Sequence, residues 1–292
     1  MRLITYIILF FFIPLFSFAQ EKIYFNSSNP FSFKDIITNP NLPNNQTVYG
    51  FLTMPDDFDS TLVYPVVIAF AGSNGWSAHH HEYLDLYRSN GIATFQVCSF
   101  KSRGVESTVG SQIEVTTAMM VLDGYKAFEM LSLHKNLNQH KIGITGWSLG
   151  GGVTLFSAWN PLKKAINPNV SFAAHLALYP PCIVIPTILD FGTAPIHILI
   201  GELDNWTPSD ACLELVNQMP KNSNISLTIY PDSHHSFDRD EPPKVKENGY
   251  ILEDCRFSMN KDGVVVMSFL NIPMSTPFLQ KIGLGMCAKK GP

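Results

Sequence analysis

The chain has 292 residues, 46% hydrophobic and 15% charged, with a formal net charge of −4. That composition suits one large globular α/β domain or two small ones. The balance is only mildly acidic and there is no Lys/Arg cluster, so nothing calls for a nucleic-acid partner, and no charge block or low-complexity tract marks a disordered tail.

In chain order, residues 1–19 come first as a separate unit. Arg2 gives a positive start, 4–18 is almost wholly apolar, and Ser17-Phe18-Ala19 fits a small-x-small cleavage site before Gln20. This predicts a secretory signal peptide. The run is shorter than the roughly 20 residues that span a bilayer, and Pro14 interrupts it. The expectation is an exported protein, periplasmic or secreted, with no membrane segment after cleavage. Export makes the five cysteines, Cys98, Cys182, Cys212, Cys255 and Cys287, candidates for pairing.

Residues 20–47 are polar and read as a lead-in with a short edge strand. Strands are predicted at 48–54, 64–70 and 93–100, with a helix at 82–89 closed by Asn90-Gly91. A helical period covers 112–134, a strand 141–145, and a further helix starts beyond Ser148. Strands follow at 172–179, 196–201 and 225–230, with a helix at 209–219. The tail reads as two strands, 250–259 and 264–270, around a turn at 260–263; 276–292 shows no clear pattern. Covered, Val/Ile/Leu-rich strands alternating with helices predict an α/β fold, a mostly parallel sheet with helices on both faces. One domain is expected over 20–292, with a core at about 48–240 and an extension at about 241–292. Ligands on such sheets bind at the carboxyl ends of the strands.

At one strand end stands Gly146-Trp147-Ser148-Leu149-Gly150. Strand, G-x-S-x-G, helix is the setting of a nucleophile elbow: a serine on so sharp a turn needs neighbours without bulk two positions away. The helix starting there aims free N–H groups at an oxyanion formed on the serine. An activated serine also needs a base, and the base an orienting acid. After the 196–201 strand comes Glu202-Leu203-Asp204, and after 225–230 comes Asp232-Ser233-His234-His235. Ser, Asp, His, each after its own strand, is the order of an α/β-hydrolase sheet. The residues leave His234 or His235 as base, and Asp204 or Glu202 as acid, Asp232 being too close to swing round. Leu149 supplies one oxyanion N–H, and the loop after 64–70, at Ser73 or Asn74, the other.

Several blocks between about 48 and 240 resemble the dienelactone hydrolase family of α/β-hydrolases. They are PVVIAFAGSNG (65–75), SFKSRG (99–104), DGYKA (123–127), KIGITGWSLGG (141–151), GELDNWTP (201–208) and YPDSHHSFD (230–238). The resemblance implies a triad of Ser148, Asp204 and His235, and hydrolysis of a small carboxylic ester or lactone. Dienelactone hydrolases proper use a cysteine where this chain has Ser148. They also close with a helix that has no counterpart in the tail pattern.

The 181–195 junction, where large lids enter this fold, is short, and an open cleft is expected. Trp76, Trp147, Trp206 and Phe237 flank the loops and are candidates to line a substrate pocket, with Arg103 a candidate for a substrate carboxylate. His79-His80-His81 sit on one loop and point different ways, so neither a metal nor a cofactor is expected. Cys182 with Cys212, and Cys255 with Cys287, are the disulfide candidates; each bridge closes a loop worth roughly 3 kcal/mol in the chain-entropy model. Cys98, inside a predicted strand, is expected as a free thiol. Two other readings are a peptidase of the oligopeptidase type and a binding protein on a hydrolase fold.

Overall fold

The computed structural model describes residues 20–39, 41–267 and 271–292. The predicted signal peptide and the last three residues of the 264–270 strand lie outside the described residues. Elements begin with β1 (Glu21–Ser27), α1 (Phe33–Thr38), β2 (Gln46–Thr53), β3 (Tyr64–Phe70), α2 (Ala78–Ser89) and β4 (Ala93–Val97). Next come α3 (Thr117–Leu131), β5 (Leu137–Trp147), α4 (Leu149–Ser157), α5 (Asn160–Ile166), β6 (His175–Leu178) and β7 (Val184–Pro186). The chain continues with β8 (Ile196–Gly201), α6 (Ser209–Gln218) and β9 (Ile225–Tyr230). The tail holds β10 (Tyr250–Ile251), β11 (Phe257–Met259), β12 (Val265–Met267), α7 (Pro277–Cys287) and β13 (Lys289–Lys290).

Eight strands form one sheet in the order β1-β2-β4-β3-β5-β6-β8-β9. Pairing is antiparallel from β1 to β2 and from β2 to β4, and parallel from β4 onward. Every residue of β4 and all but one of β3 are buried, so the centre of the sheet is covered on both faces. That explains their apolar-rich runs: each fully buried Val, Ile or Phe is worth roughly 1.5–3 kcal/mol, and almost no position faces water. All strands from β3 to β9 in the sheet run the same way, which brings the loops after β3, β5, β8 and β9 to one end. Among the described residues no helix is long and apolar enough to cross a membrane.

Several expectations change. The helix expected at 82–89 begins at Ala78, so His79, His80 and His81 lie on α2 and not on a loop. The strand expected at 250–259 is broken into β10 and β11. The lead-in contains α1, started by a capping box in which Ser32 and Asp35 exchange hydrogen bonds. The strand expected at 93–100 stops at Val97, because the chain turns there into a short 3₁₀ turn at Lys101–Arg103. The patternless tail contains α7, which starts at Pro277 with Thr276 Oγ1 accepting from the Leu279 N–H at 3.3 Å. Gly283 and Gly285 dilute its helical pattern.

No lid is inserted at 181–195, yet the cleft is not open on that side. β7 pairs in parallel with β11 of the tail, and β11 pairs with β12. The tail thus folds back over the strand ends. Disulfides join Cys182 to Cys212 and Cys255 to Cys287. The second ties α7 to the segment before β11. Cys98 is free and buried, and burial pushes its thiol up to about 11.

Arg103 does not reach a substrate. Its Nη1 lies 2.7 Å from Asp123 Oδ2 and its Nη2 3.0 Å from Oδ1, a two-pronged bond with side chains 6% and 0% exposed. The guanidinium also donates to Ser28 O, Ser99 O and Asn29 Oδ1. Asp123 accepts two further bonds, from Ser27 Oγ and Ser99 Oγ. Arg103 therefore locks the ends of β1 and β4 to α3. Breaking such a buried pair leaves a carboxylate uncompensated, so Arg103→Met is expected to cost about 3–5 kcal/mol in urea unfolding.

Acid should weaken the fold as well. Burial lowers His79 and His175 from 6.5 to about 4. The unfolded chain protonates both well before the folded chain does, so their contribution is whole above about 6.5 and is lost as pH falls toward about 4. The urea midpoint is expected to be lower at about pH 5 than at about pH 7.

Candidate active site

β5 ends at Trp147 and α4 begins at Leu149, so Ser148 alone makes the turn between them. Its backbone sits at φ 55° and ψ −114°, a conformation side-chain-bearing residues rarely hold. A Cβ at Gly146 would lie 2.2 Å from Gly150 O, and one at Gly150 2.2 Å from Phe70 O. Both glycines are thus required by contact. Ser148 N–H donates to Leu178 O of β6 at 2.9 Å, which ties the turn to the sheet. The Leu149 N–H lies in the first turn of α4, where no intrahelical acceptor exists.

His235 arrives on the loop after β9. Its Nε2 is 3.0 Å from Ser148 Oγ, and its Nδ1 is 2.7 Å from Asp204 Oδ2. The ring is held between Trp206, at 5.1 Å, and the edge of Tyr179, at 4.7 Å. His234 is exposed and takes no part. Asp204 is 3% exposed. Its Oδ1 accepts from the N–H groups of Trp206 and Thr207, at 3.0 and 2.8 Å, and its Oδ2 from Thr207 Oγ1, at 2.8 Å. These donors fix the carboxylate and match its charge. Glu202 is exposed, and its Oε2 accepts from the Asp232 N–H instead.

The loop after β3 lies against the serine: a Cβ at Gly72 would be 3.3 Å from Ser148 Cβ. Ser73 O accepts from Thr108 N and Ser107 Oγ, and Ser73 Oγ accepts from Gln112 Nε2 at 3.2 Å. Gln112, at φ 59°, is itself held through its carbonyl by Gln280 of α7. Two spaces open beside Ser148. One is an apolar pocket of about 200 Å³, and the other a polar recess of about 40 Å³ that includes His235, Asn74 and Arg239.

The proposed pocket aromatics divide. Trp206 borders both spaces. Trp147 borders the recess, but is 1% exposed, with its indole N–H donating to Asp238 Oδ2 at 3.0 Å. Trp76 lies beyond the 72–75 loop, bonded to Val97 O, and borders a separate cavity of about 380 Å³. Phe237 packs on Tyr179 and Tyr230 and borders neither space beside Ser148, so as pocket residues Trp76 and Phe237 are corrected. Among the described residues no group of His, Cys, Asp or Glu is arranged to hold a metal; His79 and His80 are buried.

Sequence reasoning missed Thr207, Gln112, Arg239 and Asp238. The Asp238 side chain is 1% exposed and accepts from both Trp147 and the Tyr179 hydroxyl, the latter at 2.9 Å. It ties the residue before the serine, the ring beside His235 and the histidine loop to one carboxyl. Burial pushes that carboxyl above its ordinary range, and pushes Tyr179 well up. Asp238→Ala is expected to cost about 2–6 kcal/mol in urea unfolding, at roughly 1–3 kcal/mol for each buried donor left unpaired. Asp238→Asn, which keeps an acceptor, should lose less.

The sequence model described as the dienelactone hydrolase family matches residues 84–257 of the 292. No curated protein matches. Among solved structures, a putative dienelactone hydrolase from Klebsiella pneumoniae is 18% identical, with 74% of this chain and 88% of that chain covered and a TM-score of 0.53. A thermophilic esterase from Thermogutta terrifontis is 17% identical, with 67% and 80% covered and a TM-score of 0.54. A putative dipeptidyl aminopeptidase IV from Bacteroides ovatus is 16% identical with a TM-score of 0.51, over 74% of this chain and 33% of that one. At these identities the likeness is one of fold. The match over 84–257 is the one that assigns a family: the chain belongs to the dienelactone hydrolase family, and so to the hydrolases that act on ester bonds.

Proposed function

We propose that the protein cleaves a carboxylic ester or lactone through an acyl-enzyme on Ser148. The observation that carries this reading is one imidazole bonded on both sides, to Ser148 Oγ at 3.0 Å and to Asp204 Oδ2 at 2.7 Å. With Nδ1 as donor to Asp204, Nε2 is the bare nitrogen and can accept the serine proton. Ser148 Oγ attacks the carbonyl carbon as His235 takes that proton. The oxyanion is held by the Leu149 N–H and by an N–H of Ser73 or Asn74. His235 then protonates the leaving oxygen. A water, deprotonated by the same nitrogen, attacks the acyl carbon and releases the acid with Ser148 restored. Asp204, fixed by Thr207 and two backbone N–H groups, holds the tautomer and offsets the charge on His235.

The reading extends to the whole chain. Residues 1–19 act as a signal peptide, and export to an oxidising compartment fits two disulfides. Residues 20–292 act as a single domain, whose extension beyond about 241 walls the site.

Ser148→Ala is expected to lower kcat/KM by roughly 10⁴-fold or more and to abolish labelling by a fluorophosphonate probe. Full labelling of that variant overturns the assignment. Asp204→Asn frees the imidazole to adopt the wrong tautomer, and kcat should fall by up to about 10⁴-fold with little change in KM.

A further inference from the structure

The serine reading leaves open what the acyl group is, and the two spaces beside Ser148 bear on it. The next step rests on that reading. His235 must protonate the leaving oxygen, so the alcohol portion lies within its reach. His235 borders the small polar recess and does not border the larger pocket. The acyl portion therefore points into the larger pocket.

Among the described residues no Asp, Glu, Lys, Arg or His borders that pocket. Most of its polar groups are already engaged. Tyr250 Oη donates to Gly110 O at 2.6 Å, and Gln280 Nε2 to Gln112 O at 2.9 Å. Thr116 Oγ1 donates to Pro30 O at 3.3 Å, and Thr207 Oγ1 to Asp204. What remains facing the space is mostly apolar, with Leu149, Phe156 and Ile183 on the core side. The tail completes the wall with Leu252, Val265, Met274 and Leu284. α7 lies so close to this wall that a Cβ at Gly283 would sit 2.8 Å from Met274 Sδ. A carboxylate carried into this space would lose its water and find no cation, at a cost of several kcal/mol.

We propose that the C-terminal tail is the specificity element of this hydrolase, and that it selects esters of neutral, apolar acyl groups over esters whose acyl part is charged. Burial of each added methylene against Leu252, Val265 and Met274 favours the transition state by up to roughly four-fold, until the pocket is full.

The test compares p-nitrophenyl acetate, butyrate, hexanoate and hemisuccinate on the purified full chain. kcat/KM is expected to rise several-fold per step from acetate to butyrate, and the hemisuccinate to fall at least about 10-fold below butyrate. Met274→Trp, which fills the pocket, should lower the hexanoate-to-acetate ratio at least about 10-fold. Val265→Ala, which enlarges it, should move the preference toward longer chains, and stands as the second variant should the tryptophan disturb folding. Hemisuccinate turned over as well as butyrate, or a ratio that neither variant moves, overturns the proposal. Fluorophosphonate labelling that depends on Ser148 separates the two levels. If labelling persists with flat acyl preference, only the acyl-pocket proposal fails. If the wild-type chain neither labels nor turns over any ester, the serine reading fails and takes the proposal with it.

Discussion

The site depends on one backbone constraint, the left-handed turn at Ser148. A residue with a side chain in such a conformation is destabilised by roughly 1–3 kcal/mol and keeps it only when its surroundings leave no alternative. Here they leave none. β5 pairs with β3 through Gly146 and with β6 through Trp147, so the strand is fixed up to the residue before the turn. Ser148 N–H is held by Leu178 O, and Ser148 O accepts from the Gly152 N–H. Three backbones meet with no room for a Cβ at Gly146 or Gly150. Ser148 Oγ thus inherits the rigidity of the central parallel strands, the most buried part of the protein.

The histidine loop has no such support, since it follows the edge strand β9. Its register is set by polar bonds. Leu203 N–H donates to Ser233 O, Asp232 N–H to Glu202 Oε2, and Trp147 and Tyr179 to Asp238. Apolar contact would hold the loop down without fixing its register, whereas a buried carboxyl shared by two donors specifies a single arrangement. The cost is visible in Asp238, whose carboxyl burial holds above its ordinary range. The loop that carries the imidazole is thereby referenced to Trp147, the residue next to the serine.

These two kinds of support explain what could be read from the chain. The strands 64–70, 196–201 and 225–230 are legible to the residue, because each apolar-rich run is bounded by Gly, Pro or polar turn residues, and the central 64–70 run is covered on both faces. Ser148, Asp204 and a histidine were legible as positions after strands. Position after a strand does not say which histidine bonds, since His234 and His235 are adjacent; the family resemblance points to His235, whose ring packs between Trp206 and Tyr179. Arg103 had the same difficulty: its partner Asp123 is a helix residue, and only the fold shows that they meet. Trp76 and Phe237 sit next to site residues in sequence but on the far side of their loops in space. Helix α7 escaped detection because its two glycines, costing about 1 kcal/mol each in a helix, weaken the local pattern.

That weakness has a consequence for the pocket. Of the eleven residues of α7, only Gly283 and Leu284 are buried. Burying one leucine is worth roughly 1.5–3 kcal/mol, while ordering each residue costs about 1–2 kcal/mol. The helix cannot stay docked on its own apolar contact. The Cys255–Cys287 bridge changes that balance by joining the end of α7 to the segment before β11, and it removes roughly 3 kcal/mol of unfolded-chain freedom. β11 is in turn held to the core by its pairing with β7. From α7, Gln280 reaches Gln112, and Gln112 reaches Ser73 in the loop beside the serine. The tail is therefore wall and prop at once: the bridge that keeps α7 over the pocket also steadies the loop that faces Ser148.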